Sequence, residues 1–204
     1  VYNIAAIEKE LKKRLQYQYR WTQIQTNKAD NKTNFIYDTS TFETLLEKIK
    51  HFNIDLKNYT LNRWYNFWHA IAVEQIFSNN QNVKKEKNNS HKTIDFYINN
   101  IPFDHKSTVI PKVLENKFDI LKNHKKALIS WLYRNQSTQQ RQHFKNKLFI
   151  VFCSQDGTHW KLKAELSLIK NLIGKYLNSF NTNTLVELNF KNQKIKSDII
   201  WITA

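Results

Sequence analysis

Asp95, Asp104 and Lys106 are the residues whose types and spacing suggest chemistry. They lie in the stretch 93–106, where apolar and polar residues alternate on either side of Asn99-Asn100. Asparagine tolerates positive φ, so this pair can close a two-residue hairpin turn. The turn sets Ile98 against Ile101, Phe96 against Phe103 and Asp95 against Asp104. Ile94, Phe96, Ile98, Ile101 and Phe103 then form an apolar face, and Asp95, Asp104 and Lys106 share the opposite one. Directly opposed residues have Cβ atoms about 4.5–5.5 Å apart, so the two carboxylates repel each other. A hard divalent cation removes that conflict, because Mg²⁺ takes oxygen ligands and needs only one or two carboxylates besides water and phosphate. Lys106 projects to the same side, where its ammonium can orient an attacking water or stabilise charge growing on a phosphoryl group. The bland alternative is a solvated hairpin face with a surface ion pair.

Asp95, an eight-residue gap and then Asp104-His105-Lys106 resemble the Asp…(Asp/Glu)-X-Lys signature of the PD-(D/E)XK nuclease superfamily, which includes many type II restriction endonucleases. The resemblance implies that Asp95 and Asp104 bind Mg²⁺ (with Mn²⁺ able to substitute), that His105 lends its backbone carbonyl, and that Lys106 supports the nucleophilic water. An upstream helical carboxylate often completes such sites, and Glu74 is the best match. Ile94 stands where the signature often has Pro. By the same resemblance the chain is expected to be a sequence-specific endonuclease that cuts double-stranded DNA as a homodimer. The alternatives are another nuclease of the superfamily, acting in junction resolution, repair or transposition, and a non-catalytic nucleic-acid-binding protein.

These residues need a scaffold. Ile4, Ile7, Leu11 and Leu15 recur at helical spacing, predicting a helix over 3–20. Ser40 with Glu43 reads as a capping box opening a helix through Lys50. Leu61, Trp64, Trp68, Ile71, Ala72 and Ile76 form a helical stripe, capped near Asn58 or Thr60. Residues 78–92 read as a lysine-rich connection, and 111–134 as one long helix. The continuous apolar run 148–153 reads as a buried central strand. Leu162, Leu166, Ile169, Ile173 and Tyr176 give another helix, with strands at 184–190 and 195–202 closing the chain. The expectation is an α/β fold, a mixed sheet flanked by helices, with a restriction-endonuclease-like core. The whole chain, 1–204, is read as a single nuclease domain with an N-terminal helical part (1–57) and a catalytic core (58–204).

Composition bounds the function. The 32 Lys and Arg against 17 Asp and Glu give a net charge of +15, which suits a polyanionic partner. Part of that excess is expected from an AT-rich coding sequence, in which Lys, Asn and Ile all abound. Apolar residues are 41% of the chain, which excludes a disordered polar polymer. No apolar run reaches the roughly 18 residues needed to cross a bilayer, so no membrane partner is expected. The lone Cys153 excludes an intrachain disulfide and Cys-rich metal sites, and a reducing cytoplasmic setting is expected.

Lys84, Lys85 and Lys87, together with Gln139, Gln140 and Arg141, are candidate DNA contacts, though solvated loops explain them nearly as well. Trp64, Tyr65, Phe67 and Trp68 could stack on bases, but four aromatics so close on one helix more often build a core. His69, His91, His124, His143 and His159 show no metal-ligand spacing.

Overall fold

Short polar side chains open the helices of the first third of the chain. In the computed structural model, Asn3 accepts the Ala6 amide to start α1 (Ile4–Arg14), and Thr26 accepts the Ala29 amide to start α2 (Asn27–Thr33). Thr41 caps α3 (Phe42–Ile49), and the Asn53 side chain accepts the Leu56 amide, at 2.9 Å, to start α4 (Ile54–Ser78). The structure describes residues 2–21, 24–86, 94–135, 145–190 and 193–204.

The boundaries differ from the sequence expectation for identifiable reasons. α1 stops at Arg14, whose guanidinium reaches forward to the carbonyls of Tyr17 and Gln18, at 2.6 and 2.9 Å, and holds the chain beyond the helix. α3 is capped by Thr41, one residue after Ser40, and its first amide, Phe42 N–H, donates to Glu10 at 2.7 Å. α4 begins ahead of its apolar stripe, since Ile54 is 68% exposed and leaves no burial signal in the first turn.

The chain divides into two compact units, one of Val1–Gln75 and Lys163–Ile169, the other of Ile76–Leu162 and Lys170–Ala204. Residue 57, where the sequence reading ends its N-terminal part, lies inside α4. Within the first unit Trp64, Tyr65 and Trp68 are buried, and both indole N–H groups donate to the Thr39 carbonyl at 2.6 and 2.8 Å. This aromatic cluster is core and offers no stacking platform.

The second unit holds the sheet. Its strands are β1 (Val83–Lys85), β2 (Phe96–Ile98), β3 (Ile101–Val109), β4 (Lys147–Cys153), β5 (Val186–Phe190) and β6 (Gln193–Thr203), in spatial order β1-β2-β3-β4-β6-β5. β3, β4 and β6 run parallel, and the remaining neighbours pair antiparallel. The apolar run is therefore a central strand, with every residue of β4 but Cys153 buried. β1 falls in the stretch read as a connection; three residues are too few to show a period.

The long helix expected over 111–134 is broken. A 3-10 turn (Lys112–Lys117) follows Pro111, then come α5 (Phe118–Asn123) and α6 (Lys125–Asn135), separated at His124. α5 buries only Leu121, so it does not extend the stripe of Leu128, Ile129, Leu132 and Tyr133 by which α6 packs on Phe149, Val151, Ile195 and Ile199. On the other face Phe77, at the end of α4, stacks on Phe96 with centroids 4.4 Å apart. From the C-terminal end of α7 (Leu166–Asn178) the Tyr176 hydroxyl meets Asp198 at 3.3 Å. The fold is thus mixed α/β, a six-stranded mixed sheet flanked by helices. No helix among the described residues is long and apolar enough to cross a membrane.

Candidate active site

The β2–β3 hairpin closes through Asn99 (φ 47°) and Asn100 (φ 65°), both in the left-handed region that a two-residue turn requires. The register pairs Ile98 with Ile101 and Phe96 with Phe103, as the alternation predicts. Asp95 and Asp104 come next, and here the ladder ends. The Asp95 amide donates to the Phe103 carbonyl at 2.9 Å. Its carboxylate turns to the open edge of β3, where Oδ2 accepts the His105 amide at 2.8 Å and meets the His105 ring Nδ1 at 2.6 Å. In effect the side chain satisfies a backbone donor that a longer β2 would have paired.

Asp104 is held from the other side. Parallel register sets it beside Lys147 at the start of β4, and the two side chains meet at 2.6 Å between Oδ2 and Nζ. The Asp104 carboxyl is also among the groups that act on the Asp95 carboxyl, so the two acids lie close together. Both remain open to solvent, with side-chain exposures of 31% for Asp95 and 26% for Asp104. Burial pushes the Asp95 carboxyl up, but the His105 ring, the His105 amide and Asp104 together outweigh it and hold it below the usual carboxylate range. Asp95 is therefore anionic at neutral pH.

Lys106 is exposed, two residues beyond Asp104, so strand alternation places it on the Asp104 side. The His105 ring packs on the apolar face, as its position predicts, with Phe96 at 6.0 Å and Phe77 at 6.4 Å between centroids. Alternation along the strand does not show its bond to Asp95, nor does any local pattern show Lys147. It contacts Asp104 from 43 residues away, and in the sequence it is only the polar residue before an apolar run.

Glu74 is half-buried on α4 and belongs to the first unit, whereas the hairpin belongs to the second. Lys84 and Lys85 are exposed on β1, opposite Tyr97 and Phe96. Lys87, Gln139, Gln140 and Arg141 lie outside the described residues.

Among the described residues no group of three or more His, Cys, Asp or Glu side chains is arranged to hold a metal ion. The donor set at Asp95 and Asp104 nevertheless suits a hard cation. It consists of two solvent-open carboxylates brought together despite like charge, and Mg²⁺ asks no more of a protein when water and phosphate complete its shell. No protein-family model, curated protein or solved structure matches this chain.

Proposed function

We propose that this chain is a Mg²⁺-dependent endonuclease that hydrolyses phosphodiester bonds of double-stranded DNA, on a restriction-endonuclease-like core. The observation that carries this reading is the closeness of Asp95 and Asp104 at the end of the β2–β3 ladder, with amines on neighbouring positions. Asp95 and Asp104 would hold Mg²⁺, with the His105 carbonyl as a further oxygen donor. When bound there, the ion supplies charge neutralisation at the scissile phosphate and a more acidic water. Lys106 donates a hydrogen bond to the water that attacks phosphorus in line. Lys147 fixes the Asp104 carboxylate and balances its charge while the site is at rest. The net charge of +15 supports a polyanionic substrate. A type II restriction enzyme, acting as a homodimer on a twofold site, is the particular form we favour, since a twofold protein matches a twofold sequence.

One observation favours a second reading, a non-catalytic DNA-binding protein. Each acid already has a nitrogen partner at 2.6 Å, His105 for Asp95 and Lys147 for Asp104, so the cluster is compensated without a metal. Incubating the purified protein with supercoiled plasmid and Mg²⁺, then with EDTA, separates the two. The nuclease reading expects discrete fragments with mappable ends, lost on chelation. DNA binding with no cutting in Mg²⁺ or Mn²⁺ supports the second reading.

A further inference from the structure

A second feature lies beside the acid pair, at the end of the sheet where β4 begins. A cleft of about 370 Å³ opens there, its wall including Pro102, Lys145, Asn146, Gln193 and Lys194. Its framework is fixed by three hydrogen bonds. Asn146 Nδ2 donates to the Pro102 carbonyl at 3.0 Å, Asn146 Oδ1 accepts the Lys196 amide at 2.8 Å, and the Tyr133 hydroxyl donates to the Lys145 carbonyl at 2.6 Å. The amide and carbonyl groups of this corner are thus tied down. Lys145, Gln193 and Lys194 are exposed, and no acidic residue lines the cleft among the described residues. Ile94 and Ile195 complete the wall, so its only charged side chains among the described residues are the two lysines, a lining that suits an anion.

Its position identifies the anion. Asp104 and Lys147 are register partners on β3 and β4, and Lys147 and Ser197 on β4 and β6. Pro102, Lys145 and Ile195 each stand two residues earlier in the chain than one of these, so the cleft forms the next row beside the acid pair. Two strand residues span roughly 6.6 Å. A DNA strand carries one phosphate per about 3.4 Å of helix axis. The cleft is therefore one or two nucleotides from the phosphate that the acids would face.

We propose that this cleft receives a DNA backbone phosphate flanking the one to be cut, with Lys145 and Lys194 as its cationic contacts. The word "flanking" rests on the nuclease reading; the phosphate contact itself does not.

The test is equilibrium binding of a duplex oligonucleotide across a salt series without divalent cation. For Lys145→Ala with Lys194→Ala, affinity falls about tenfold or more and the slope of log Kd against log salt drops by between about one and two. Replacing both by Arg keeps the slope. Lys117→Ala with Lys122→Ala removes the same charge from the α5 region and leaves the slope unchanged. An unchanged slope in the first pair, an equal loss in both alanine pairs, or a wild-type protein that does not bind duplex DNA would overturn the proposal. The same variants cut in Mg²⁺ with a raised KM for DNA and a kcat within a few-fold of wild type. If the wild type binds but never cuts, the nuclease reading fails while the salt slope still decides the cleft.

Discussion

β4 begins and ends beside clusters of charged side chains, and the two ends handle them in opposite ways. At its start, Asp95 and Asp104 lie close together, each partly exposed and each bonded to a nitrogen. At its end, His159 is nearly closed off, with 8% of its side chain exposed. There the ring accepts the Ser154 amide at Nδ1 (2.9 Å) and donates from Nε2 to Glu115 (3.0 Å). The Ser154 hydroxyl donates in turn to Asp156 at 2.7 Å. A serine, a histidine and a glutamate beside a cleft of about 650 Å³ look like a nucleophile, its base and an orienting acid. The Ser154 hydroxyl does lie 3.3 Å from Nδ1, but the Ser154 amide is closer to the lone pair that a base would use, and the hydroxyl's shorter bond goes to Asp156. The larger cleft thus belongs to a closed hydrogen-bond set, and the smaller one adjoins two acids that stay open to solvent. Solvent-open acids, more than cleft size, mark a site.

Changing the open end should affect chemistry, and changing the closed end should affect stability. The largest effect is expected from Asp104→Ala, with plasmid cutting reduced about 10³-fold or more, since several kcal/mol of transition-state stabilisation disappear. Duplex binding in a gel-shift assay should stay within about tenfold, because phosphate contacts dominate affinity. Lys106→Ala follows, with a cutting rate about 10²-fold lower if its ammonium serves the attacking water. Lys147→Met should lower the rate less. The reverse order in single-turnover rates would make Lys147 the acting amine.

His159→Ala should lower stability by about 1–2 kcal/mol in urea unfolding, because it removes the partner of a half-buried amide, and leave the cutting rate within a few-fold of wild type. A large loss of cutting with no loss of stability would erase the contrast between the ends.

The smallest effect is expected at Glu8, another closed cluster, in the first unit. Burial pushes its carboxyl up, but the Ser167 hydroxyl, Lys12 and the Ser167 amide outweigh burial and hold it below the ordinary glutamate value. A carboxyl depressed by folding contributes stability that is complete above its unfolded value and is lost as pH falls through the folded one. Glu8→Gln should therefore flatten the acid limb of the stability curve and leave cutting at neutral pH unaltered. A steeper acid limb in the variant would contradict that sign.

The hairpin was legible in the sequence because everything that defines it is local. Two asparagines set the turn, and alternation around them sets the register. β4 was legible from its unbroken apolar run. What escaped depends on distant or non-periodic features. Lys147 reaches Asp104 only through a parallel register that no local pattern encodes. The turn of Asp95 toward His105 follows from where the β2 ladder ends, which propensity does not specify. The break at His124 reflects how little of α5 is buried, a tertiary fact. Lys145 and Lys194 look like any other lysines in a basic chain until the sheet brings them together.

Cation uptake tests the centre of this account most directly. Mn²⁺, standing in for Mg²⁺, is titrated into the protein with duplex DNA present, and the free ion is read by electron paramagnetic resonance. The account predicts that wild-type protein takes up at least one ion per chain and that Asp95→Asn with Asp104→Asn loses this uptake while still binding DNA. Equal uptake by both proteins, or none by the wild type, would contradict it.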